Sequence, residues 1–489
     1  MIGEIEANWV LSSDLASRID AEYYQQLYIE AQSRLITVHC VPFHTLWKDS
    51  YRIYMGIKGY EEVADNDGYT PYLRPVNIDD FGFINLEQLG WCEAGWLKDY
   101  GEQGTAKPND LIVEVKGNTR KVAVLPARVP ENCIVSGSAW RIQINNKADT
   151  RFIQAYLLSE IGQILKRREI SNSIIPWINP EAFKHLSIPL PDFKIQAYIG
   201  DKVRLAEKCR EEAEIIKRSA KVLLEEILNL PSIDQLPQLQ TNWWVDPEYA
   251  YPERLDPNYY QPKFLRTEEI LSPKSTKFSE IVVNAKYGAS VPADYKEEGI
   301  PFIRGTDLSP NRIDLTDLHY LDSSLAPKVK SAKVKTGDVL LTRSGTVGVA
   351  AAINERLDNF AFGSFMIKLR FKESISPVYA AAFLNSPYGI TQIERQKNGA
   401  VQQNINLEEI DRLMLPLLTI DQQQKISYLW AKWNLYLDYS QRLIYHALSD
   451  IEKLIEGEME IEEILIGKKE SLSWDDIGEE INGQLINYA

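Results

Sequence analysis

The segment Asp338-Val339-Leu340-Leu341-Thr342-Arg343-Ser344-Gly345-Thr346-Val347-Gly348 reads as a strand running into a glycine-bounded turn, with Arg343, Ser344 and Thr346 at its tip. Glycine permits the tight turning of the backbone. An arginine on such a loop offers a planar fork of donors that fits a guanine edge or a phosphate, and hydroxyls serve either partner. The plainer alternative is a surface hairpin with a solvated arginine. Upstream, Lys328, Lys330, Lys333 and Lys335 alternate with Val329, Ala332 and Val334. This pattern predicts a basic strand edge, which binds phosphate or guards against aggregation. Downstream, Arg395, Lys397, Asn398, Gln402, Gln403 and Asn404 crowd one segment. Amide side chains suit adenine edges, although they also cap helices, and a helix is expected to start near Asn406.

Catalytic chemistry finds less support. Asp110 followed by Glu114-Val115-Lys116 imitates the acid and Glu-x-Lys set of a metal-dependent nuclease. Such sets place the two parts on neighbouring strands, whereas here all three side chains lie along one. Asp256-Pro257-Asn258-Tyr259 is one residue short of the Asp-Pro-Pro-Tyr motif of amino-methyltransferases. No glycine-rich loop for S-adenosylmethionine precedes it, and no GxxxxGK[ST] phosphate loop occurs anywhere. The five histidines form no Ser/His/Asp arrangement. His39-Cys40-Val41-Pro42-Phe43-His44 has metal-ligand types but no second cluster to complete a site. The expectation is a chain with no catalytic residue, no metal site and no cofactor of its own.

The elements that position these residues come in two copies. Arg18-Ile19-Asp20-Ala21-Glu22-Tyr23-Tyr24-Gln25 returns as Arg254-Leu255-Asp256-Pro257-Asn258-Tyr259-Tyr260-Gln261. Pro71-Tyr72-Leu73-Arg74 returns as Pro301-Phe302-Ile303-Arg304, Gly137-Ser138 as Gly363-Ser364, Ile188-Pro189-Leu190-Pro191 as Leu415-Pro416-Leu417-Leu418, and Gln196 as Gln423. An ordered series at an offset within about ten residues of 230 predicts two like halves related by a pseudo-two-fold. In the first half, the places of the second half's polar candidates hold Lys116, Asn118, Arg120 and Lys121, then Lys166, Arg167, Arg168, Asn172 and Ser173. Lys166-Arg167-Arg168 ends a helix, where cations also offset the helix dipole. The halves differ most at these polar positions and keep the apolar frame, as two readers of different sequences would. Arg74 and Arg304 are common to both, which points to a structural pairing or a shared phosphate contact.

Each half ends in a heptad pattern. Ala206, Cys209, Ala213, Ile216, Ala220, Leu223 and Ile227 form one seam, with small residues that allow close helix approach. Ile426, Trp430, Trp433, Leu437, Ser440, Ile444, Ala447, Ile451, Leu454, Glu458, Ile461 and Leu465 form the other. Neither stripe can be buried by its own helix, so a mutual coiled coil is expected. Between them Pro231 to Pro237 reads as a linker. Short strand-like runs mixed with helical ones make the globular parts α+β. The expected domains are 1–193, a spacer helix and linker over 194–245, a second globular domain over 246–420, and a second long helix with an acidic tail over 421–489.

Composition fits a protein of two domains plus connectors, since 489 residues exceed what one core supports. The net charge is −15, and −8 of it lies in the last 69 residues. That location leaves room for local basic faces, yet the overall sign predicts weak binding to nucleic acid by this chain alone. Four scattered cysteines predict reduced thiols and a cytoplasmic setting. The acidic start Met1-Ile2-Gly3-Glu4-Ile5-Glu6 lacks the apolar stretch of a secretory signal, and no run of 18 apolar residues predicts a membrane span.

The second half resembles a target recognition domain of a type I restriction–modification specificity subunit. The resemblance runs in order through Arg254 to Gln261, Gly299 to Leu308, Gly337 to Gly348, Phe383-Leu384-Asn385-Ser386, Gly399 to Ile405 and Leu415-Pro416 before the long helix. The first half matches the same plan more loosely. The resemblance implies two similar mixed α/β recognition domains joined by two long antiparallel spacer helices, each domain reading one half of a bipartite, asymmetric site in double-stranded DNA. It implies that the helices act as a ruler: roughly 35 residues at 1.5 Å each span about 50 Å. It further implies adenine-N6 methyltransferase (modification) subunits as partners, two of them, and through them ATP-dependent restriction/translocase subunits. S-adenosylmethionine, ATP and Mg would then sit on those partners, in a system of DNA methylation and host defence. A stand-alone interaction scaffold of a defence complex that has lost DNA reading is the competing expectation, motivated by the acidic balance. An enzyme in its own right is the third, and the missing motifs weigh against it.

Overall fold

Why the chain pairs as it does is clearest in the strands whose every residue is buried. Leu111–Glu114 and Asp338–Thr342 are such strands, and each sits inside a sheet with neighbours on both sides. The computed structural model describes residues 21–52, 68–100, 102–171, 174–245, 256–292, 294–397 and 403–485. Met1–Glu6, Arg18–Asp20, Asn172, Ser173, Arg254, Leu255, Asn398 to Val401 and Gln402 of the sequence motifs lie outside them. The described residues of 1–210 and 437–478 make one compact unit, and those of 211–436 and 479–485 make a second. The division falls within both long helices.

In the first unit, β1 (Trp47–Tyr51), β2 (Leu111–Glu114), β3 (Val122–Val124) and β4 (Ala139–Ile144) form an antiparallel sheet of order β1-β4-β2-β3. A second sheet joins Tyr69–Leu73 to Gly90–Glu93 antiparallel and to Ile134–Val135 parallel. Helices α1 (Thr150–Leu158) and α2 (Glu160–Arg168) follow, and α3 (Phe193–Leu228) begins here. Ser159 caps α2 through Gly162 N–H. A Cβ on Gly162 would lie 1.8 Å from Tyr156 O, so only glycine permits the sharp α1–α2 bend.

The second unit repeats this plan. Here β5 (Val282–Tyr287), β6 (Asp338–Thr342), β7 (Ala350–Ala352) and β8 (Met366–Phe371) form a sheet of order β5-β8-β6-β7, the same order as before. Ile300–Ile303 pairs antiparallel with His319–Leu321 and parallel with Ala361–Phe362. Helices α4 (Pro377–Leu384) and α5 (Pro387–Gln396) bend at Ser386, which caps Gly389 N–H, and a Cβ on Gly389 would lie 2.2 Å from Phe383 O. α6 (Ile420–Glu456) is the second long helix.

Hydrogen bonds repeat as well. Asp149 N–H donates to Gln196 Oε1 at 3.0 Å, and Ser376 N–H donates to Gln423 Oε1 at 2.7 Å. The side-chain amides of Gln196 and Gln423 donate to Pro191 O and Leu418 O, tying each long helix to the helix pair before it. The sequence pairing of Gly137-Ser138 with Gly363-Ser364 is off by one residue. Ser136 N–H bonds Leu73 O as Gly363 N–H bonds Ile303 O, so Ser138 answers Phe365.

Within the first unit, Ala206 and Cys209 of α3 are buried, and Ser440 Oγ of α6 donates to Ala206 O at 3.0 Å. Lys202 pairs with Asp450, and both are largely buried. Increasing α3 numbers meet decreasing α6 numbers, so these stretches are antiparallel. Within the second unit the α3 seam departs from the heptad. Leu224 and Leu228 are buried where Leu223 and Ile227 were expected. An α-helix turns every 3.6 residues, so a strict 3.5 repeat drifts off the buried face after several turns. α6 ends at Glu456, so the expected seam positions Glu458, Ile461 and Leu465 fall beyond it. The acidic tail contains a helix, α7 (Trp474–Leu485), with Ile477, Ile481 and Leu485 buried.

Candidate nucleic-acid interface

The end of β6 turns into the Arg343 loop through contacts that leave little freedom. Arg343 N–H donates to Phe365 O at 2.8 Å, and Ile405 N–H donates to Arg343 O at 3.0 Å. Ser344 and Asn404 form an antiparallel bridge, which brings residues 403–405 alongside the loop. Gly345 has φ +78° and Gly348 φ +100°, left-handed values that make the tight return possible. Thr342 Oγ1 bridges the turn, donating to Thr346 O and accepting from Val349 N–H. The Arg343 guanidinium lies over the Tyr287 ring, 4.7 Å from its centroid. Its Nε is buried without a hydrogen-bond acceptor. The Tyr287 hydroxyl in turn accepts from Leu407 N–H at 3.2 Å. Phe365 stands exposed beside this cluster in the chain.

The first unit builds the same main-chain lattice with other side chains. Val115 N–H donates to Ser138 O, Ile178 N–H donates to Val115 O, and Lys116 bridges Trp177. Val115 thus stands at the place of Arg343, Lys116 at Ser344, Asn118 at Thr346 and Trp177 at Asn404. Gly117, at φ +107°, makes the turn and donates its N–H to Pro176 O. Arg52 donates Nε–H to Gly137 O at 3.1 Å and lies 5.7 Å from the Trp177 ring. Trp177 Nε1 is buried without an acceptor.

Other candidates are distributed differently. Lys116, Asn118, Arg120, Arg167, Lys330, Thr346 and Gln403 are exposed, and Ser344, Lys397 and Asn404 are half-buried. Asn172 and Gln402 lie outside the described residues. Lys121 pairs with the exposed carboxylate of Asp80. The expected basic strand over Lys328–Lys335 does not form. Ala326–Val329 is a helical turn, and only Lys333 makes a bridge, to Ala361. Val329, Ala332 and Val334 are buried, so packing rather than strand pairing fixes the alternation.

Arg168 and Arg395 are corrections to the sequence reading. Arg395 is buried, donates Nε–H to Tyr259 O at 3.1 Å, pairs with Glu268 at 2.6 Å and lies 4.2 Å from the Tyr259 ring centroid. Arg168 repeats this on Tyr23, donating to its carbonyl at 3.0 Å and lying 4.0 Å from its ring. The two equivalent arginines lock the Tyr-Tyr turn of each unit onto α2 or α5, an intramolecular task. Lys166 is fully buried, and its Nζ donates to Arg120 O at 3.2 Å. Burial lowers its pKa to about 7, and nearby Arg120 adds to the effect while Glu114 opposes it. Arg304 is held by Asp307 and Asp317, a structural pairing, which is one of the two alternatives expected for that position.

The nuclease-like set is dismantled by the same packing. Asp110 is fully buried against Arg141, with its pKa raised by burial. Glu114 accepts from Lys121 N–H, and Lys116 points elsewhere into solvent. In the second copy, Asp338 pairs with Arg370 and Lys368. Among the described residues no group of three or more His, Cys, Asp and Glu could hold a metal ion, and no helix is long and apolar enough to cross a membrane. The cysteines are free thiols, and burial raises the pKa of each.

Sequence reasoning missed Tyr287, Phe365, Arg52 and Trp177. The signal was the repeat itself: aligning the two copies on their main-chain partners brings each of these to the glycine-bounded turn of its unit.

Residues 278–429 match the type I restriction modification DNA specificity domain. The type I restriction enzyme EcoBI specificity subunit of Escherichia coli is 25% identical over 172 residues, 35% of this chain and 36% of that one. The StySPI specificity subunit of Salmonella potsdam is 28% identical over 137 residues, 27% of this chain and 29% of that one. The matches thus span about a third of these relatives' length. Among solved structures, the type I S subunit from M. genitalium aligns over 86% of this chain and 96% of that one, with 15% identity and a TM-score of 0.44.

Proposed function

We infer that this chain is a type I restriction–modification specificity subunit, a reading supported by the match of residues 278–429 to that family's DNA specificity domain. The chain is the non-catalytic reader of a bipartite, asymmetric DNA site. Each unit reads one half-site through its glycine-bounded loop, and the two long helices serve as the spacer ruler. Adenine-N6 methyltransferase subunits, two per reader and using S-adenosylmethionine, carry the chemistry and flip an adenine from each half-site. ATP- and Mg-dependent restriction/translocase subunits join through them. The long helices and adjoining surfaces are the docking region. An apolar cleft of about 970 Å³ in the second unit, where Leu224, Leu228, Tyr388, Trp430 and Trp433 meet, supports that placement.

One observation carries this reading. The two units hold one main-chain lattice with different side chains at its mouth: Val115, Lys116 and Trp177 in one, Arg343, Ser344 and Asn404 in the other. A scaffold has no need of that contrast, whereas a reader of two unlike half-sites requires it.

Methylation-sensitive sequencing of cells that co-express the chain with its methyltransferase partner tests it, with the methyltransferase alone as control. The expected result is a gapped, asymmetric adenine-methylation motif that appears only with the chain present. A stable complex that yields no motif would instead establish the scaffold reading.

A further inference from the structure

We propose that Arg343, held over the Tyr287 ring, selects a guanine in the half-site read by the second unit. This rests on the DNA-reading function above and assigns one base of it to one side chain.

Three observations separate base reading from phosphate binding. The guanidinium is pre-positioned: the residue is half-buried, its Cζ lies over the Tyr287 ring 4.7 Å from the centroid, and main-chain bonds to Phe365 and Ile405 pin its backbone on both sides. A cation that follows a phosphate needs reach and freedom, whereas a bidentate fork on a base edge needs a fixed plane. Second, Nε–H is buried and has no acceptor. The buried Nε–H faces the protein and holds the inner edge of the fork there, so the O6 and N7 acceptors of a guanine edge would be met by its terminal amino groups, which are not buried. Third, Arg343 is the single cation among residues 343–349 and 403–407. Its neighbours there are the amides Gln403 and Asn404 and the hydroxyls Ser344 and Thr346, a base-edge composition.

The fold does not need this arginine. The first unit makes the same two main-chain bonds with Val115 at the equivalent place. Arg343 is therefore free to serve recognition, and Tyr287 is its positioning residue. Tyr287 also fixes the 403–407 segment through its hydroxyl, which accepts from Leu407 N–H.

The test is methylation-motif sequencing of the full chain with its methyltransferase, comparing wild type with Arg343→Gln, Tyr287→Phe and Tyr287→Leu. The wild-type motif should contain a guanine in one half-site. Arg343→Gln should lower preference at that guanine by about 10- to 100-fold and leave the other half-site unchanged. Tyr287→Phe keeps the ring and should retain the guanine, while Tyr287→Leu should broaden that position alone. A motif lacking guanine in either half-site overturns the proposal. So does an Arg343→Gln protein that keeps the same motif but binds a randomised duplex more weakly at all sequences, which marks a phosphate contact. Absence of any motif with wild type is a different failure, that of the DNA-reading function itself.

Discussion

Lys166 shows how far a residue's type can mislead about its place. In sequence it is the first of three cations at a helix end, a natural phosphate ligand. In the fold it is fully buried, with Nζ bonded to Arg120 O and Glu114 nearby. Desolvation disfavours its charged form and brings its pKa to about 7, against an unfolded value of about 10.4. Between those values the unfolded chain binds a proton that the folded chain does not, so stability rises with pH across the window. Below about 7 both states are protonated and the full penalty of burying the charge applies. Across pH 7 to 10 the thermal midpoint of the wild-type chain should therefore gain on that of Lys166→Met, a comparison in which the opposite effect of the buried thiols cancels. An unchanged slope in the variant would show that Lys166 titrates normally. The contrast with Arg167, its exposed neighbour, is the contrast between the two faces of α2.

At the scale of elements, the helix pairs α1–α2 and α4–α5 repeat one sharp bend in both units. Each pair bends at a serine that caps the second helix, and each requires a glycine where the two helices come closest. The equivalent arginines Arg168 and Arg395 then clamp the second helix to the Tyr-Tyr turn. A methyl group on Gly389 would meet Phe383 O at 2.2 Å and Leu384 O at 2.5 Å, both backbone atoms that cannot swing away. Gly389→Ala should thus cost about 2 kcal/mol or more, on the scale of overpacked and strained sites. Denaturant unfolding of the purified chain measures this. A loss below about 0.5 kcal/mol, the level of a neutral surface substitution, would mean that the bend relaxes freely.

For the whole molecule, charge sets what the chain does unassisted. The net charge of −15 opposes approach to a polyanion, and candidate cations such as Arg168, Arg395 and Lys166 face inward. Few cations remain to release counterions from DNA. The chain alone should bind even its cognate duplex no tighter than the non-specific range of about 10⁻⁶ to 10⁻⁴ M at physiological salt. Tightening should follow only when the methyltransferase partner adds its own surface. Fluorescence anisotropy with a duplex carrying the methylation motif checks this. Nanomolar binding by the isolated chain would show that the described cations understate its DNA-facing charge.

Much of this was legible in the sequence because repetition is a one-dimensional property. The offset near 230 residues gave the two halves, and apolar periodicity gave both long helices, although the second seam was carried nine residues past the end of α6 at Glu456. Gln196 with Gln423, and Arg74 with Arg304, could be matched by order alone. What could not be read was the direction in which polar side chains point. Arg168, Arg343 and Arg395 are alike as letters and each lies over a tyrosine of its own unit, yet only Arg168 and Arg395 also bond that tyrosine's carbonyl, while Arg343 stands half-buried beside residues 403–405. Burial, pairing and the drift of a 3.6-residue helix off a 3.5-residue seam arise only when distant segments pack. The sequence by itself determined that two similar modules with helical ends exist; the tertiary structure decided which cations remain at the surface to meet a ligand, because desolvation and ion pairing are set by neighbours in space.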